Sequence, residues 1–300
     1  MSERPSLAWV RDRLVPRDQA TVSIDDFAVR YGAACFETML ARNGMVFRLE
    51  PHLARLAYGL RAMGAEPPSG DLLRRAIDET LRANALSDAS LRLEVSVGAG
   101  HTPDLDAATE PLVTLTVGPL TLPPDPPRLR ITSVRLDEHQ PMRGAKTANF
   151  LTYLLARREA RGSGADDALL LNHAGDVAEA ATSNVFLLLR DVLVTPAAEA
   201  GPISGITRAA VIDVARAIGI PVEERRVTLH DLTRAEAVLL TNSIVGILPV
   251  ASVEGERPFS PEAVDWRPVS TLPSAVARLS AEYEALVADE CGLARRGDTA

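Results

Sequence analysis

A chain of 300 residues that is 46% hydrophobic has enough apolar material for one large core or two ordinary ones. A formal net charge of −8, with no basic run longer than an arginine pair, argues against nucleic-acid binding. No uncharged apolar stretch approaches the roughly 20 residues needed to span a bilayer. The opening MSERPSLAWVRDRL lacks the apolar core of a secretory signal. The two cysteines, Cys35 and Cys291, lie far apart and form no metal-type spacing, and there is no HxH or HExxH pattern. No disulfide framework, metal site or membrane partner is expected, and the chain reads as a cytoplasmic protein.

Ala8 to Val15 reads as a hairpin turning near Arg11-Asp12. Cys35 to Ala41 and Val46 to Phe47 read as strands around Asn43-Gly44, a strong turn pair. Helical periodicity covers Pro51 to Met63, with proline in the first turn, and Asp71 to Asn84. Leu91 to Gly98 and Pro111 to Val117 are further strands. Gly118 to Arg128 (GPLTLPPDPPR) is too rich in proline for a regular ladder and marks a linker. Beyond it come a strand at Leu129 to Leu136, a helix at Asn149 to Arg161, and buried-type strands at Asp167 to Leu171 and Val185 to Leu189. A helix at Thr207 to Ile218 capped by Gly219, an apolar strand at Ala237 to Thr241 and a closing helix at Leu272 to Asp289 complete the chain. The expectation is an α+β chain: a small domain over 1–118, a linker over 119–129 and a larger domain over 130–300.

Lys146 is the only lysine, and the other 31 basic residues are arginine. Arginine replaces lysine as a solvated cation, but a guanidinium stays protonated at any working pH. An amine can lose its proton, attack a carbonyl and form an imine. A composition that has drifted to arginine at every position but one points to a need for amine chemistry there. Lys146 precedes the Asn149–Arg161 helical pattern, a junction from which a side chain can project into a cleft.

Six segments then occur in a characteristic order: Tyr31-Gly32…Phe36-Glu37-Thr38, Phe47-Arg48-Leu49…His52-Leu53-Ala54-Arg55-Leu56, Lys146-Thr147…Asn149, Val177-Ala178-Glu179…Ser183-Asn184-Val185-Phe186, Ser204-Gly205-Ile206-Thr207-Arg208 and Thr241-Asn242-Ser243…Gly246…Pro249-Val250. In these the chain resembles the class IV aminotransferases, the fold type IV pyridoxal-phosphate enzymes. The resemblance implies a two-domain fold like that of D-amino-acid aminotransferase, pyridoxal 5'-phosphate as cofactor, a small amino substrate and a homodimer. It implies Lys146 as the Schiff-base lysine and proton carrier at Cα, and Glu179 as the acid facing the pyridine nitrogen. By the same resemblance Arg55, Gly205, Ile206, Thr207 and Ser243 bind the phosphate. Thr182 lines the cofactor pocket, and Phe36, Thr241 and Asn242 line the substrate pocket. Arg92, with Arg30 and Arg143 as further candidates, is placed to meet a substrate carboxylate. His101, His139 and His173 read as loop residues.

The chain departs from the family pattern at Ala28 and Ala34, where relatives often have glycine, and at Ala33, where they often have aspartate. Fewer glycines restrict a loop, so its backbone cannot be copied from the family. It departs again at Phe150, which lacks the hydroxyl of the common tyrosine. Lysine, acid and phosphate cup serve two reactions alike. Phe36-Glu37-Thr38, Leu155 to Ala160 with Gly164 to Asn172, and Leu240 to Ser243 with Gly246-Ile247 lean towards aminodeoxychorismate lyase, which releases 4-aminobenzoate and pyruvate. His101-Thr102-Pro103-Asp104 stands where the D-amino-acid aminotransferases carry an arginine and histidine as a carboxylate trap, and Ser90 where the branched-chain aminotransferases usually have a tyrosine. The alternative is a transaminase for a branched-chain or other small amino acid.

Overall fold

In a computed structural model of the chain, residues 6–256, 263–268 and 271–293 are described. The chain divides into two compact units, one of Met1–Thr121, Ala145–Asn149 and Val287–Ala300, the other of Leu122–Gly144 and Phe150–Leu286.

The first unit holds β1 (Leu7–Val10), β2 (Arg13–Pro16), α1 (Phe27–Tyr31), β3 (Ala34–Arg42), β4 (Met45–Val46), α2 (Leu49–Ala62), α3 (Gly70–Ala83), β5 (Ala89–Ser96) and β6 (Val113–Gly118). Its strands form one antiparallel sheet in the order β2-β1-β6-β5-β3-β4. Strand β5 shows why one face is covered: Ala89, Leu91, Leu93 and Val95 alternate inward while Arg92 points out. Leu53, Leu56 and Leu60 of α2 and Leu73, Ile77 and Leu81 of α3 recur at helical spacing and pack with Met39, Leu91, Leu93 and Leu115. Each such side chain contributes about 1.5–3 kcal/mol on full burial. Asn43 and Gly44 both take positive φ, the geometry of the tight β3–β4 turn.

The second unit holds β7 (Arg128–Leu136), α4 (Leu151–Gly162), β8 (Asp167–Asn172), β9 (Val177–Ala180), β10 (Asn184–Leu189), β11 (Val192–Pro196), α5 (Ile206–Ala217), β12 (Val222–Arg225), α6 (Leu229–Thr233), β13 (Ala237–Asn242), β14 (Gly246–Pro249), β15 (Ser252–Glu256), β16 (Ala263–Trp266) and most of α7 (Ser274–Glu290). Two sheets, β12-β11-β10-β13-β14 and β16-β15-β7-β8-β9, enclose a core that includes Leu129, Leu169, Val185, Leu187, Val238 and Trp266. A smaller cluster of Ala156, Ala160, Ala168, Leu170 and Ala178 covers the opposite face of β8 and β9 beneath α4.

The expected boundary places Lys146 in the second domain, and the structure does not. Residues 145–149 pack with the first unit because their backbone pairs with β3: Phe36 N donates to Lys146 O at 2.9 Å, and Ala148 N donates to Ala34 O at 2.8 Å. The three alanines at these departures carry no strain. Asp26 caps α1 by accepting from Ala28 N, Gly32 ends it at φ +69°, and Ala28, Ala33 and Ala34 all keep negative φ.

Candidate active site

In the first unit, β3 organises the chemistry. Its N-terminal half has β5 on one edge and the 146–148 segment on the other, with Cys35 bridged to Thr147. The lysine backbone is thus held by a sheet, not left to a loop. Gly59 of α2 allows the helix to lie close here, since a Cβ on it would meet Cys35 Sγ at 2.4 Å. Lys146 Nζ stands 4.4 Å from the centroid of the buried Phe36 ring, and the Arg92 guanidinium stands 3.9 Å from the same centroid. Three expected residues, Lys146, Phe36 and Arg92, therefore come together. Arg92 also gives its Nη2 to Glu94 at 2.7 Å. Arg30 donates to Gly100 O at 3.0 Å, and Arg143, in the second unit, donates to Glu138 O at 3.2 Å.

The next residue of β3 turns the opposite way. Glu37 is fully buried and meets Arg55 through Nε at 2.8 Å and Nη2 at 2.5 Å, and His52 Nδ1 at 2.6 Å. Burial alone would raise its pKa. The hydrogen bonds from Arg55 and His52, then their charges, outweigh burial and leave it below the ordinary carboxylate value. The expected phosphate arginine therefore has one edge of its fork anchored by Glu37. Neither Glu37 nor His52 was assigned a role from sequence, although both stand in the family segments. Burial, and then the charge of Glu37, push the Cys35 thiol up to about 12, which disfavours its thiolate form.

In the second unit the centre is Glu179, 3% exposed on β9. A simple strand alternation would point Glu179 the same way as Val177, into the core between the sheets. The register instead slips, with Leu171 opposite Val177 and Leu170 opposite Glu179, so Ala178 is a bulge. Glu179 shares the face of Leu170 beneath α4. There Tyr153 donates its hydroxyl to Oε1 at 2.7 Å, Asn184 Nδ2 donates to Oε2 at 3.3 Å, and Ile203 N lies 3.1 Å from both oxygens. Sequence reading assigned no role to Tyr153, Asn184 or Ile203, the residues that hold this carboxylate.

Asn184 is also the cross-strand partner of Thr241 and donates to Ile203 O at 2.9 Å. Gly205 caps α5 without a side chain, and a Cβ there would lie 1.8 Å from Asn184 Oδ1, so the position needs glycine. Thr207 is buried in the first turn of α5, beside amides that have no acceptor within the helix. Ser243 sits in the β13–β14 turn. Asn242 braces that turn: Oδ1 accepts from Ile244 N and Val245 N at 2.9 and 3.0 Å, and Nδ2 donates to Ser183 Oγ at 2.9 Å. The Thr182 hydroxyl donates to Asp167 Oδ2 at 2.8 Å. Burial raises the Asp167 carboxyl, although Thr182, the Ala168 amide and two arginines act to lower it. Thr182 and Asn242 thus spend these groups inside the protein.

The residues fit pyridoxal phosphate. Thr241 Oγ1 is buried with no hydrogen-bond partner, an orphan that a ligand oxygen would satisfy. The glycine-capped start of α5 suits a phosphate, the held carboxylate suits a protonated ring nitrogen, and the single lysine supplies an amine. Among the described residues no group of His, Cys, Asp and Glu is arranged for a metal, and no helix is long and apolar enough to cross a membrane.

Residues 34–253 match the family model for amino-transferase class IV. A protein of Methanocaldococcus jannaschii, provisionally named a branched-chain-amino-acid aminotransferase, is 33% identical over 82% of this chain and 88% of its own length. A D-alanine aminotransferase of Listeria innocua is 31% identical over 82% of this chain and 87% of its own. The branched-chain aminotransferase structure from Thermoproteus uzoniensis, with norvaline, superposes at TM-score 0.83 with 28% identity, covering 95% of each chain. A Legionella pneumophila structure, provisionally named a 4-amino-4-deoxychorismate lyase, superposes at TM-score 0.76 with 27% identity, covering 82% of this chain and 91% of its own.

Proposed function

We propose that this chain, which belongs to the class IV aminotransferases and works with pyridoxal phosphate, is a transaminase exchanging an amino group between a small apolar amino acid and a 2-oxo acid. The observation that carries the reading is the likeness to a branched-chain enzyme over nearly the full length of both chains, whereas the likeness to the lyase-named protein stops short. The apolar wall that Phe36 offers beside Lys146 suits a hydrocarbon side chain.

The cofactor, when bound, supplies an electron sink for the bonds at the substrate Cα. Lys146 would hold it through its amine and would carry the proton to and from the substrate Cα. Glu179 holds the ring nitrogen protonated. The amides of Gly205, Ile206 and Thr207, with the Thr207 and Ser243 hydroxyls and Arg55, take the phosphate. Glu37 holds the Arg55 fork in one orientation. Arg92 exchanges Glu94 for the substrate carboxylate, and Thr241 offers its hydroxyl to the ligand. We read the enzyme as a cytoplasmic homodimer, and a monomer in sedimentation would contradict the second part of that reading.

The lyase is the second reading, favoured by the Phe36-Glu37-Thr38 and Leu240 to Ser243 segments and by the Legionella structure. One experiment separates the two. The loaded protein is mixed with L- and D-amino acids, with no acceptor present, and its absorbance is followed. Conversion to the pyridoxamine form by a small apolar amino acid is the expected result. No conversion by any of them, with pyruvate released from 4-amino-4-deoxychorismate, would replace transaminase by lyase.

A further inference from the structure

We propose that Tyr153 is a positioning residue for Glu179, holding the carboxylate anionic and weakly basic, so that a proton shared with the cofactor's ring nitrogen rests on the nitrogen. The proposal rests on the reading that Glu179 faces that nitrogen.

Three observations carry it. The Tyr153 hydroxyl lies 2.7 Å from Glu179 Oε1, the shortest of the contacts from Tyr153, Asn184 and Ile203 to this carboxylate. The Tyr153 ring is stacked on Phe150 at 4.4 Å and 20°, and packs against the apolar cluster beneath α4, so the hydroxyl is aimed by two constraints. The Ala178 bulge turns Glu179 to this face. Phe150 brings a ring but no hydroxyl, so on this turn of α4 the polar contact belongs to Tyr153. Burial, then the charge of Glu179 and the bond to it, hold the phenol well above the ordinary tyrosine range, so it stays a donor. A carboxylate that accepts a phenol, an amide and a backbone N–H is stabilised in its charged form. Losing the phenol makes it a stronger base.

The test compares wild type, Tyr153→Phe and Phe150→Leu, each loaded with cofactor labelled with ¹⁵N in the ring. Loading, the nitrogen chemical shift and the half-reaction with an amino acid are measured. Tyr153→Phe is expected to load, to move the resonance towards the unprotonated position, and to slow the half-reaction on the order of ten- to a hundredfold. Phe150→Leu, which keeps the hydroxyl but removes one of the two constraints that aim it, is expected to move the resonance less than Tyr153→Phe does. An unmoved resonance in loaded Tyr153→Phe overturns the proposal. Should that variant fail to load, 3-fluorotyrosine at position 153, nearly isosteric and a stronger donor, is expected to move the resonance the other way, and no movement overturns the proposal. Wild type that takes up no cofactor overturns the underlying reading itself, and is told apart by the absent visible band.

Discussion

Two buried carboxylates, one in each unit, are satisfied in different ways. Glu37 meets an arginine and a histidine at ion-pair distance. Glu179 meets a phenol, a side-chain amide and a backbone amide, none of them charged. A carboxylate that meets a guanidinium through two hydrogen bonds serves as a strut that orients Arg55. A carboxylate held by a phenol and two amides is desolvated and fixed by donors that do not cancel its charge, which suits the role proposed for Glu179. The same residue type is held by an arginine in one unit and by a phenol and amides in the other.

Lys146→Ala has the largest expected effect, because no other side-chain amine exists in the chain. Turnover and the visible band of the bound cofactor should both vanish while the circular dichroism spectrum persists. A persistent band would break the assignment. Glu179→Gln comes next: kcat should fall on the order of a hundredfold or more, with the denaturation midpoint nearly unchanged. Glu37→Gln should show the reverse emphasis. It removes the charged partner that holds one edge of the Arg55 fork and should cost about 3–5 kcal/mol of stability in urea unfolding. Its pH signature follows from the lowered pKa of Glu37. The stabilisation is fully present above the unfolded carboxylate value and is lost as pH falls through the folded value. Wild type should therefore lose stability on acidification below about pH 4.5 more steeply than the variant does. Equal slopes would show that Glu37 is not the strut described.

Two smaller effects sharpen the picture of the second unit. Gly205→Ala places a methyl group against Asn184 and should cost about 1–3 kcal/mol, with weaker cofactor binding in a fluorescence titration. Thr241→Val removes an unsatisfied buried hydroxyl. It should raise the stability of the cofactor-free protein by about 1 kcal/mol and lower ligand affinity, so a loss of stability would mean that the hydroxyl has a partner.

Lys146 stands out in the sequence because the composition isolates it. Helices α2, α3 and α5 were legible because their apolar positions recur at helical spacing. The hairpin at Asn43-Gly44 was legible from its turn residues. The turn between β10 and β11 was not, since Arg190 and Asp191 take positive φ without a glycine to signal it. Strand β9 escaped because Val177–Ala180 is buried throughout and shows no alternation. Its bulge, which decides where Glu179 points, leaves no trace in a single sequence. Tyr153 looked like one more residue of α4, because its partner is 26 residues away and is reached only through that bulge. The pairing of residues 146–148 with β3 was hidden for the same reason: backbone hydrogen bonds across a long separation carry no side-chain signature.

The most direct test is to load the protein with pyridoxal phosphate, reduce it with borohydride and map the modified peptide by mass spectrometry. The account predicts one modified peptide, containing Lys146, and none in Lys146→Ala. A stable adduct at any other site, or none at Lys146 in protein that has taken up cofactor, would contradict it.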